Sequence, residues 1–345
     1  MGGRILSTTL FYHYKVKQDF SQTFSKFNAL NVIVIGDVMI DSYLWGSVHR
    51  ISPEAPIPIV NTTRRELRMG GAANVALNIK SLTANPILCS VIGSDAHGDD
   101  FLRLMDDDSL NKSGIVRSDK RVTTIKHRVI SGGQHLLRVD EEITTPITDH
   151  ETDKLLAQIY MIMRDTPIHA VVFEDYDKGV ITPRLIDRVV RMAHDKNIPV
   201  LVDPKKRNFL YYKGVDVFKP NFKELCEGVN VSIEKTDFDA LFEAECKLRE
   251  ILGYRHGFIT LSEHGVFLSD GESYKRFPSV IREVTDVSGA GDTVIATISL
   301  CIAAGIDIVT ASEIANIAGG LVCERVGVVP VDYAALLKVL KDIDL

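Results

Sequence analysis

The stretch that decides the fold is Asp286-Val-Ser-Gly-Ala-Gly-Asp292, which leads directly into an apolar run from Thr293 to Ala304. This run predicts a buried helix that Gly305 closes. A glycine-rich turn at a helix start exposes unpaired backbone N–H groups beside the positive end of the helix dipole, and together these bind anionic oxygens. The candidate anion hole consists of Gly289, Ala290 and Gly291. The turn is therefore predicted to hold a phosphoryl group.

Asp292 is the candidate catalytic base of the same stretch. A carboxylate with a purely structural role would repel a bound phosphate beside it. A carboxylate in this position can instead act as a base and accept the proton of an attacking hydroxyl. The competing interpretation is an ordinary helix cap, for which Asp is a common residue. The other motifs of the chain favour the catalytic interpretation.

The composition is that of a globular enzyme with an acidic balance. The chain has 345 residues, of which 45% are hydrophobic and 25% charged, and its net charge is −6. This charge argues against a nucleic-acid partner, so any anionic substrate needs a local basic pocket. The five cysteines are scattered without a CxxC pair, which argues against a zinc site and a disulfide framework and favours the reducing cytoplasm. No stretch approaches the ~18 uncharged apolar residues of a membrane span.

Strand-like and helix-like segments alternate along the chain from Asn31 onward. Strands are predicted over 31–35, 86–92, 170–173, 199–202, 215–219, 257–261 and 266–268. Helices are predicted over 19–30, 71–82, 99–107, 183–196, 293–304 and 310–325, with a further helix from about Asn221. This alternation predicts an α/β fold in which helices cover both faces of a mostly parallel sheet.

Two segments, 42–68 and 120–140, interrupt this alternation. Neither has helical periodicity, and the second predicts a β-hairpin around Gly132-Gly133. We expect the two segments to form a small β-sheet beside the main sheet. Because ligands of open α/β sheets bind beyond the carboxyl ends of the strands, this small sheet is predicted to be a lid over the site.

Two groups of residues suit a polyol. Gly70 and Gly71 open a helix that carries Asn74, and they allow close approach to a ligand that the Asn side chain can bind. Asp37 and Asp41 follow the first strand, where carboxylates can bind sugar hydroxyls. The competing interpretations are a plain helix start for the glycines and a turn or cap for the aspartates.

Two further groups suit phosphate or a metal ion. Asn221 and Glu224 share one face of a helix and can bind Mg²⁺-bound water or phosphate, although a capping box is equally compatible with the pair. Lys178 and Lys205 follow two other predicted strands. Such cations in an acidic protein favour a phosphate site, and a surface charge run is the alternative.

Together these motifs resemble the ribokinase-like carbohydrate kinases, or PfkB family, over about residues 30–335. The GAGD segment with the upstream Asp286, the GGxxN helix and the NxxE helix stand in the family's order. The resemblance implies a ribokinase-like fold, ATP as co-substrate and Mg²⁺ as cofactor. It also implies a kinase domain over 19–345 after an N-terminal extension over 1–18, and a homodimer formed through the lid.

The resemblance assigns roles to individual positions. The implied sugar ligands are Asp37, Asp41, Gly70, Gly71 and Asn74. The candidates for a distal phosphate on the sugar are Arg50, Arg138, Lys178 and Lys205. The implied ATP site comprises Asn221, Glu224, Ser262, Gly265, Gly291 and Asn316, with Asn221 and Glu224 holding Mg²⁺ through water. A potassium loop, which the family often has, matches Asp286 and Ser288 with carbonyls near Val322 and Gly327.

A narrower resemblance points to the substrate. Segments 35–41, 50–56, 70–78, 134–140 and 286–296 are similar to the heptose 7-phosphate kinases of the family. This similarity implies phosphorylation of the anomeric hydroxyl of D-glycero-D-manno-heptose 7-phosphate, on the way to the ADP-heptose of lipopolysaccharide. No HxGH nucleotidyltransferase signature is found, so we expect a stand-alone kinase and a separate adenylyltransferase. The sequence departs from these similar kinases at 131–134, Asp177 and Leu261. These departures bear on the fine substrate preference and not on the kinase activity.

Three alternatives are kept beside this interpretation. A ribokinase-like enzyme for another sugar or sugar phosphate, such as a fructose phosphate or ribose, would share the catalytic motifs. A dinucleotide-binding oxidoreductase is disfavoured because the first predicted strand is not followed by GxGxxG. A catalytically silent sugar-binding regulator is disfavoured by the intact Asp292 and glycine turn.

Overall fold

The computed structural model describes residues 20–280, 285–325 and 327–342. The strands are β1 (Asn31–Gly36), β2 (Val38–Ile51), β3 (Pro58–Gly71), β4 (Asn85–Gly93), β5 (Ile115–Ser118), β6 (Ile125–Ser131), β7 (Gln134–Glu141), β8 (Ala170–Glu174), β9 (Val200–Asp203), β10 (Val217–Phe218), β11 (His256–Thr260), β12 (Val266–Ser269) and β13 (Tyr274–Phe277). The helices are α1 (Phe20–Phe24), α2 (Ala72–Ser81), α3 (Ala96–Asp107), α4 (Asp149–Asp165), α5 (Pro183–His194), α6 (Phe222–Val229), α7 (Phe238–Leu252), α8 (Ala290–Ala303), α9 (Ile308–Cys323) and α10 (Tyr333–Asp342). The predicted N-terminal extension, 1–18, lies outside the described residues.

Nine strands form the central sheet, in the order β13-β12-β11-β10-β9-β8-β1-β4-β5. The seven strands from β11 to β5 pair in parallel, and β12 and β13 add antiparallel pairs at one edge. The central parallel strands are buried on both faces and are mostly apolar, as in the Val-Ile-Val run of β1. The predicted α/β class with a mostly parallel sheet is confirmed.

Helices cover both faces of the central sheet. One hydrophobic core lies under α1, α2, α3, α8, α9 and α10, and a second core lies under α4, α5, α6 and α7. Successive strand residues alternate between these cores: in β8, Ala170 and Val172 belong to the first, and Val171 and Phe173 to the second. A polar residue at a strand end therefore faces the helices of one core or of the other.

The predicted small sheet is present, with the strand order β3-β2-β6-β7. Strands β2 and β3 form a long antiparallel hairpin, β6 pairs with β2 in parallel, and β6 and β7 form the predicted hairpin around Gly132-Gly133. Both glycines have positive φ, which suits a two-residue hairpin turn. That this sheet acts as a lid stays a prediction.

Some elements differ from those predicted. The segment 19–30 was predicted as one helix, but α1 ends at Phe24 and a 3₁₀ helix follows over Ser25–Ala29. Strand β10 has only two residues, where five were predicted. Helices α4, α7 and α10 and strands β5 and β13 were not predicted. Among the described residues, no helix has the length and apolar content that a membrane span requires.

Candidate active site

Asp292 lies in the first turn of α8 and is only 5% exposed. Asn74 Nδ2 of α2 donates a hydrogen bond to its Oδ2 at 2.6 Å, and the Tyr176 hydroxyl donates to its Oδ1 at 2.8 Å. Burial raises the pKa of Asp292 to about 6 although these two hydrogen bonds lower it. The carboxyl group is therefore held in a fixed orientation, and above this pKa it is an available base.

The turn before α8 depends on glycine at one position. Gly289 has φ +80° and precedes the first helical residue, and a Cβ there would lie 2.9 Å from Asn74 Nδ2. At Gly291 an added Cβ would come no closer than 3.5 Å to Asp203 Oδ2, so space alone does not require glycine. The Ala290 N–H donates to Val287 O at 3.3 Å within the turn, which engages one of the three predicted anion-hole amides. The anion-hole role stays a prediction.

Asp37 organises the loop that follows β8. Its two carboxylate oxygens accept the backbone N–H groups of Tyr176, Lys178 and Val180 at 2.9–3.0 Å. Burial raises the pKa of Asp37, although these three hydrogen bonds act in the opposite direction. Asp37 therefore shapes the loop that presents the Tyr176 hydroxyl to the Asp292 carboxyl group. The sequence reasoning did not single out Tyr176, and only its place after a strand end marked it.

The two glycines of the GG pair leave room for the two aspartates. A Cβ on Gly70 would lie 2.6 Å from Asp41 Oδ2, and a Cβ on Gly71 would lie 2.4 Å from Asp37 O. Gly71 also has φ +62°, a conformation that favours glycine. Within the protein, glycine is therefore needed at these two positions because the aspartates lie so close to them. Their predicted contact with a polyol is an additional role that stays a prediction.

A basic cluster lies beside Asp41 on one face of the small sheet, to which Asp41 belongs through β2. Arg128 of β6 forms an ion pair with Asp41, and the guanidinium groups of Arg128 and Arg68 lie 5.5 and 5.1 Å from the ring centroid of Tyr43. Arg68 Nη1 also lies 3.1 Å from the position that a Cβ on Gly327 would take. This face of the sheet is therefore turned towards the Asp286–Asp292 turn. Neither arginine was singled out from the sequence, because strand pairing across distant segments brings them together.

The four cations predicted for a distal phosphate do not gather at one point. Arg50 is exposed near the end of β2, and Arg138 is exposed on β7, with Nε 3.0 Å from an Asp140 oxygen. Lys178 Nζ lies 2.7 Å from Glu142 Oε1, and Lys205 Nζ lies 2.7 Å from Glu224 Oε1. Lys205 thus lies beside the predicted ATP ligands. A distal-phosphate role for these four residues stays untested.

A buried row of charged side chains crosses three strand ends. Glu174 of β8 pairs in register with Asp203 of β9, and Lys219 follows the next strand, β10, with Nζ 2.6 Å from Asp203 Oδ2. The alternation of the strands turns this row towards the core that contains α8, where Asp203 and Lys219 approach Gly291. The row therefore lies directly beneath the first turn of α8. Sequence reasoning noticed the run that starts at Asp203 without assigning this role.

Glu174 is the least compensated member of that row. It is 1% exposed, and among the described residues its Oε2 has no hydrogen-bond partner. Burial, together with the charges of Asp203 and Asp292, raises the pKa of Glu174 well above its usual value. A neutral Glu174 avoids placing a third negative charge beside Asp292.

Asn221 and Glu224 form the capping box that was the competing interpretation of this pair. The Glu224 N–H donates to Asn221 Oδ1, and the Asn221 N–H donates to Glu224 Oε2, both at 2.8 Å. Carboxylates suit Mg²⁺, which retains several waters, and Glu224 and Asp203 provide them at this edge. The donor set fits the cation that accompanies ATP, and the capping role does not exclude the predicted one.

The remaining predicted residues lie at the other end of the edge. Gly265 has φ +82°, and a Cβ there would lie 2.0 Å from Phe277 O, so the turn that contains Ser262 requires glycine. Asn316 Nδ2 of α9 donates to Pro278 O at 2.8 Å. Their predicted role in the ATP site stays a prediction.

Asp286 ties together the two segments of the predicted potassium loop. Its Oδ1 accepts the Ser288 N–H and its Oδ2 accepts the Gly327 N–H, both at 2.9 Å. The Asp286 N–H in turn donates to Cys323 O at 3.1 Å. Although burial raises it, the pKa of Asp286 is lowered on balance by these hydrogen bonds. Potassium binding here stays a prediction.

The sheet, the small β-sheet and the carboxyl group under a glycine-rich helix start define a ribokinase-like phosphotransferase. A family model described as pfkB family carbohydrate kinase matches residues 29–332. The chain belongs to this family and is a sugar kinase.

Known proteins agree with this assignment. The chain is 39% identical over 308 residues to the bifunctional protein HldE of Magnetococcus marinus, with 89% of this chain covered. It is 35% identical over 323 residues to the HldE of Geobacter sulfurreducens, with 93% covered. The chain spans 63% and 65% of the lengths of these two relatives, so it matches only a part of each.

Solved structures show the same fold. Phosphofructokinase-2 from Escherichia coli, in complex with potassium, has a TM-score of 0.74 at 18% identity, with 92% of this chain and 99% of that chain covered. Ribokinase of Arabidopsis thaliana, complexed with ribose and ATP, has a TM-score of 0.69 at 19% identity, with 91% and 99% covered. The predicted ribokinase-like fold is confirmed.

Proposed function

We propose that the protein transfers the γ-phosphoryl group of ATP to the anomeric hydroxyl of D-glycero-D-manno-heptose 7-phosphate, giving the 1,7-bisphosphate. The observation that carries the reaction is the buried Asp292 carboxyl, held by Asn74 and Tyr176 beneath the glycine turn. The similarity to the HldE proteins supports the sugar. The product would serve ADP-heptose synthesis for lipopolysaccharide in the cytoplasm.

In this proposal Asp292 accepts the proton of the anomeric hydroxyl while the turn before α8 binds the phosphoryl oxygens. The two hydrogen bonds to its carboxylate fix the direction from which the proton arrives. Lys219 and Lys205 bring positive charge to the same edge of the sheet. Since the protein does little covalent work in phosphoryl transfer, positioning and charge supply most of the acceleration.

Asn221 and Glu224 would hold Mg²⁺ through water, and the bound cation would neutralise charge on the nucleotide phosphates. The potassium complex of phosphofructokinase-2 supports a monovalent cation at the loop tied by Asp286. Adenine would lie between the turn that contains Ser262 and the helix that contains Asn316. These assignments rest on the family's motifs at the matching positions.

The distal phosphate of the sugar would bind the basic cluster on the small sheet. Arg128 lies against the predicted sugar ligand Asp41, and Arg68 lies beside it on the same face. Guanidinium groups recognise phosphate through paired, charge-assisted hydrogen bonds. These two arginines are better placed than Arg50, which is exposed near the end of β2.

The test is ADP release with MgATP and a panel of heptose 7-phosphate, fructose 6-phosphate, fructose 1-phosphate and ribose, in potassium and in sodium buffer. We expect the heptose phosphate to have the highest kcat/KM, with faster turnover in potassium. Turnover on another sugar of the panel would support the proposed kinase reaction but refute the proposed role in ADP-heptose synthesis. Lack of turnover on all four in potassium would favour the silent-binder alternative.

The assembly is a separate part of the proposal. We propose a homodimer through the small sheet, whose strand β7 exposes Leu137 and Val139. Because the similar HldE proteins are bifunctional, we propose that the 1,7-bisphosphate, after hydrolysis of its 7-phosphate by a phosphatase, supplies the 1-phosphate for an adenylyltransferase activity. A monomeric mass in solution would contradict the dimer.

A further inference from the structure

Three metal-binding side chains meet where the small sheet approaches the main body. His97 lies in the first turn of α3, His127 lies on β6, and Glu141 ends β7. One ligand atom from each lies within 4.8 Å of the others. The His127 Nε2 and Glu141 Oε1 atoms are 3.4 Å apart, and the rings of His97 and His127 are edge-on with centroids 6.2 Å apart.

Strand register explains why this cluster is separate from the active site. Glu141 pairs with Ile125, two residues before His127, so His127 and Glu141 lie on the same face of the small sheet. Lys126 and Arg128 lie on the opposite face, and Arg128 there contacts the predicted sugar ligand. The cluster is therefore on the back of the small sheet, where α3 packs against β2 and β3.

A second observation concerns one of the nitrogens of His97. His97 Nδ1 is buried, and it has no hydrogen-bond partner in the part of the chain that the structure describes. The nearest carboxylate, Asp100 Oδ2, is 3.8 Å away, which is too far for a hydrogen bond. A metal ion bound through this nitrogen would supply it with a partner, although the His97 side chain as a whole is 32% exposed.

The chemistry of the three groups selects the class of occupant. Two imidazoles and one carboxylate suit Zn²⁺ and related first-row transition ions, whereas Mg²⁺ and Ca²⁺ prefer oxygen ligands alone. Ligands about 2.1 Å from a tetrahedral zinc ion are roughly 3.4 Å from each other. The His127–Glu141 pair already has this separation, and side-chain rotation can close the rest of the cluster.

We propose that His97, His127 and Glu141 form a site for a divalent transition-metal ion of the zinc class, which ties the small sheet to the main body. The ion would join α3, which belongs to the main body, to β6 and β7, which belong to the small sheet. Because β6 leaves the body close to His127, the tie restrains the small sheet near its base. The site is independent of the sugar specificity proposed above.

Binding is tested with the full chain freed of metal, by calorimetric titration with Zn²⁺ and elemental analysis after dialysis. We expect one ion per chain, and we expect His97→Ala and His127→Ala each to weaken binding by about tenfold or more. His194→Ala, which removes an exposed histidine at the end of α5, is the matched control and should bind as the wild type does. Equal affinity in all four proteins would overturn the site.

Two measurements keep the proposal testable if a variant fails to fold. X-ray absorption of the zinc-loaded wild type should show imidazole ligands and no sulfur, and sulfur ligation would overturn the assignment. Hydrogen exchange of the β6 and β7 amides should slow when Zn²⁺ is added to the wild type and not when it is added to His97→Ala. Exchange that Zn²⁺ leaves unchanged in the wild type would refute the tie.

Discussion

Replacing Asp292 by Asn should remove activity and stabilise the protein at the same time. The carboxyl group is buried beneath the start of α8, and its pKa is raised to about 6 from 3.8. A raised carboxyl pKa means that the folded state binds the proton more tightly than the unfolded state does. The ionised group therefore costs stability above the folded pKa, and this cost disappears as the pH falls below 3.8.

The magnitude follows from this shift. A difference of about 2 units, at ~1.4 kcal/mol for each unit, corresponds to about 3 kcal/mol. The neutral Asn does not ionise but keeps a similar shape, so we expect it to recover a part of this free energy at pH 8. Loss of the general base should lower kcat by about 10²–10⁴-fold.

The assay combines ADP release at pH 8 with denaturant unfolding at pH 8 and at pH 4. Asp292→Asn should unfold at higher denaturant than the wild type at pH 8, and the difference should shrink at pH 4. The control is Asp237→Asn, which changes an exposed cap that Asn can replace, and it should alter neither property. Turnover of the Asp292 variant within about tenfold of the wild type would refute the base, and lower stability at pH 8 would refute the burial argument.

Four further outcomes follow from the same geometry. The wild-type kcat/KM should fall about tenfold per unit below pH ~6 as Asp292 is protonated, and a flat profile down to pH 4 would contradict this. Tyr176→Phe removes a hydrogen bond to the ionised Asp292, so this acidic limb should move up by about one unit in a pH–rate profile. Arg128→Ala should raise the sugar-phosphate KM about tenfold or more, whereas Arg50→Ala should leave it unchanged, and equal effects in steady-state kinetics would place the phosphate elsewhere. Glu174→Gln, which mimics the neutral acid, should keep kcat within about tenfold and raise the unfolding midpoint at pH 8, and a larger loss would mean that the ionised form is required.

Much of the fold could be predicted because local sequence and tertiary structure agree. The apolar run of β1 predicted a buried strand, and the glycine turn before α8 predicted where that helix begins. Helix α1 was overextended because Phe20, Phe24 and Phe27 have helical spacing, yet Phe27 is buried from a 3₁₀ turn. Strand β10 has only two residues, although the backbone contact with β9 continues on both sides of it, since the Asp216 N–H donates to Val200 O and the Lys219 N–H donates to Val202 O.

The site was predicted only where its residues are close in sequence. Asp292 and the glycine turn form one motif, and the structure brings Asn74 to them through the contact of α2 with α8. Tyr176 carried no sequence signal beyond its place after a strand end, and its neighbour Asp177 has φ +56° in the structure. This strained residue marks a tight loop, and a tight loop after a strand end presents side chains to a ligand.

The zinc-class cluster shows a different limit of sequence reasoning. Scattered cysteines argued against a zinc site, and that argument holds for thiolate ligands alone. His97, His127 and Glu141 have no characteristic spacing, because strand pairing and helix packing bring them together. A ligand set that is assembled by tertiary contacts leaves no motif in the chain.

The small sheet also bears on how an acidic protein would bind the doubly anionic sugar phosphate that we propose as its substrate. The chain has a net charge of −6, yet its four small-sheet strands carry seven Lys or Arg and only four Asp or Glu. The floor of the site carries the carboxyl groups of Asp292, in the first turn of α8, and of Asp203, at the end of β9. A hydroxyl that must lose a proton is attracted to the acidic floor, and a phosphate is attracted to the basic sheet above it. The charge distribution therefore favours binding of the proposed substrate with its reacting hydroxyl at Asp292 and its phosphate at the small sheet.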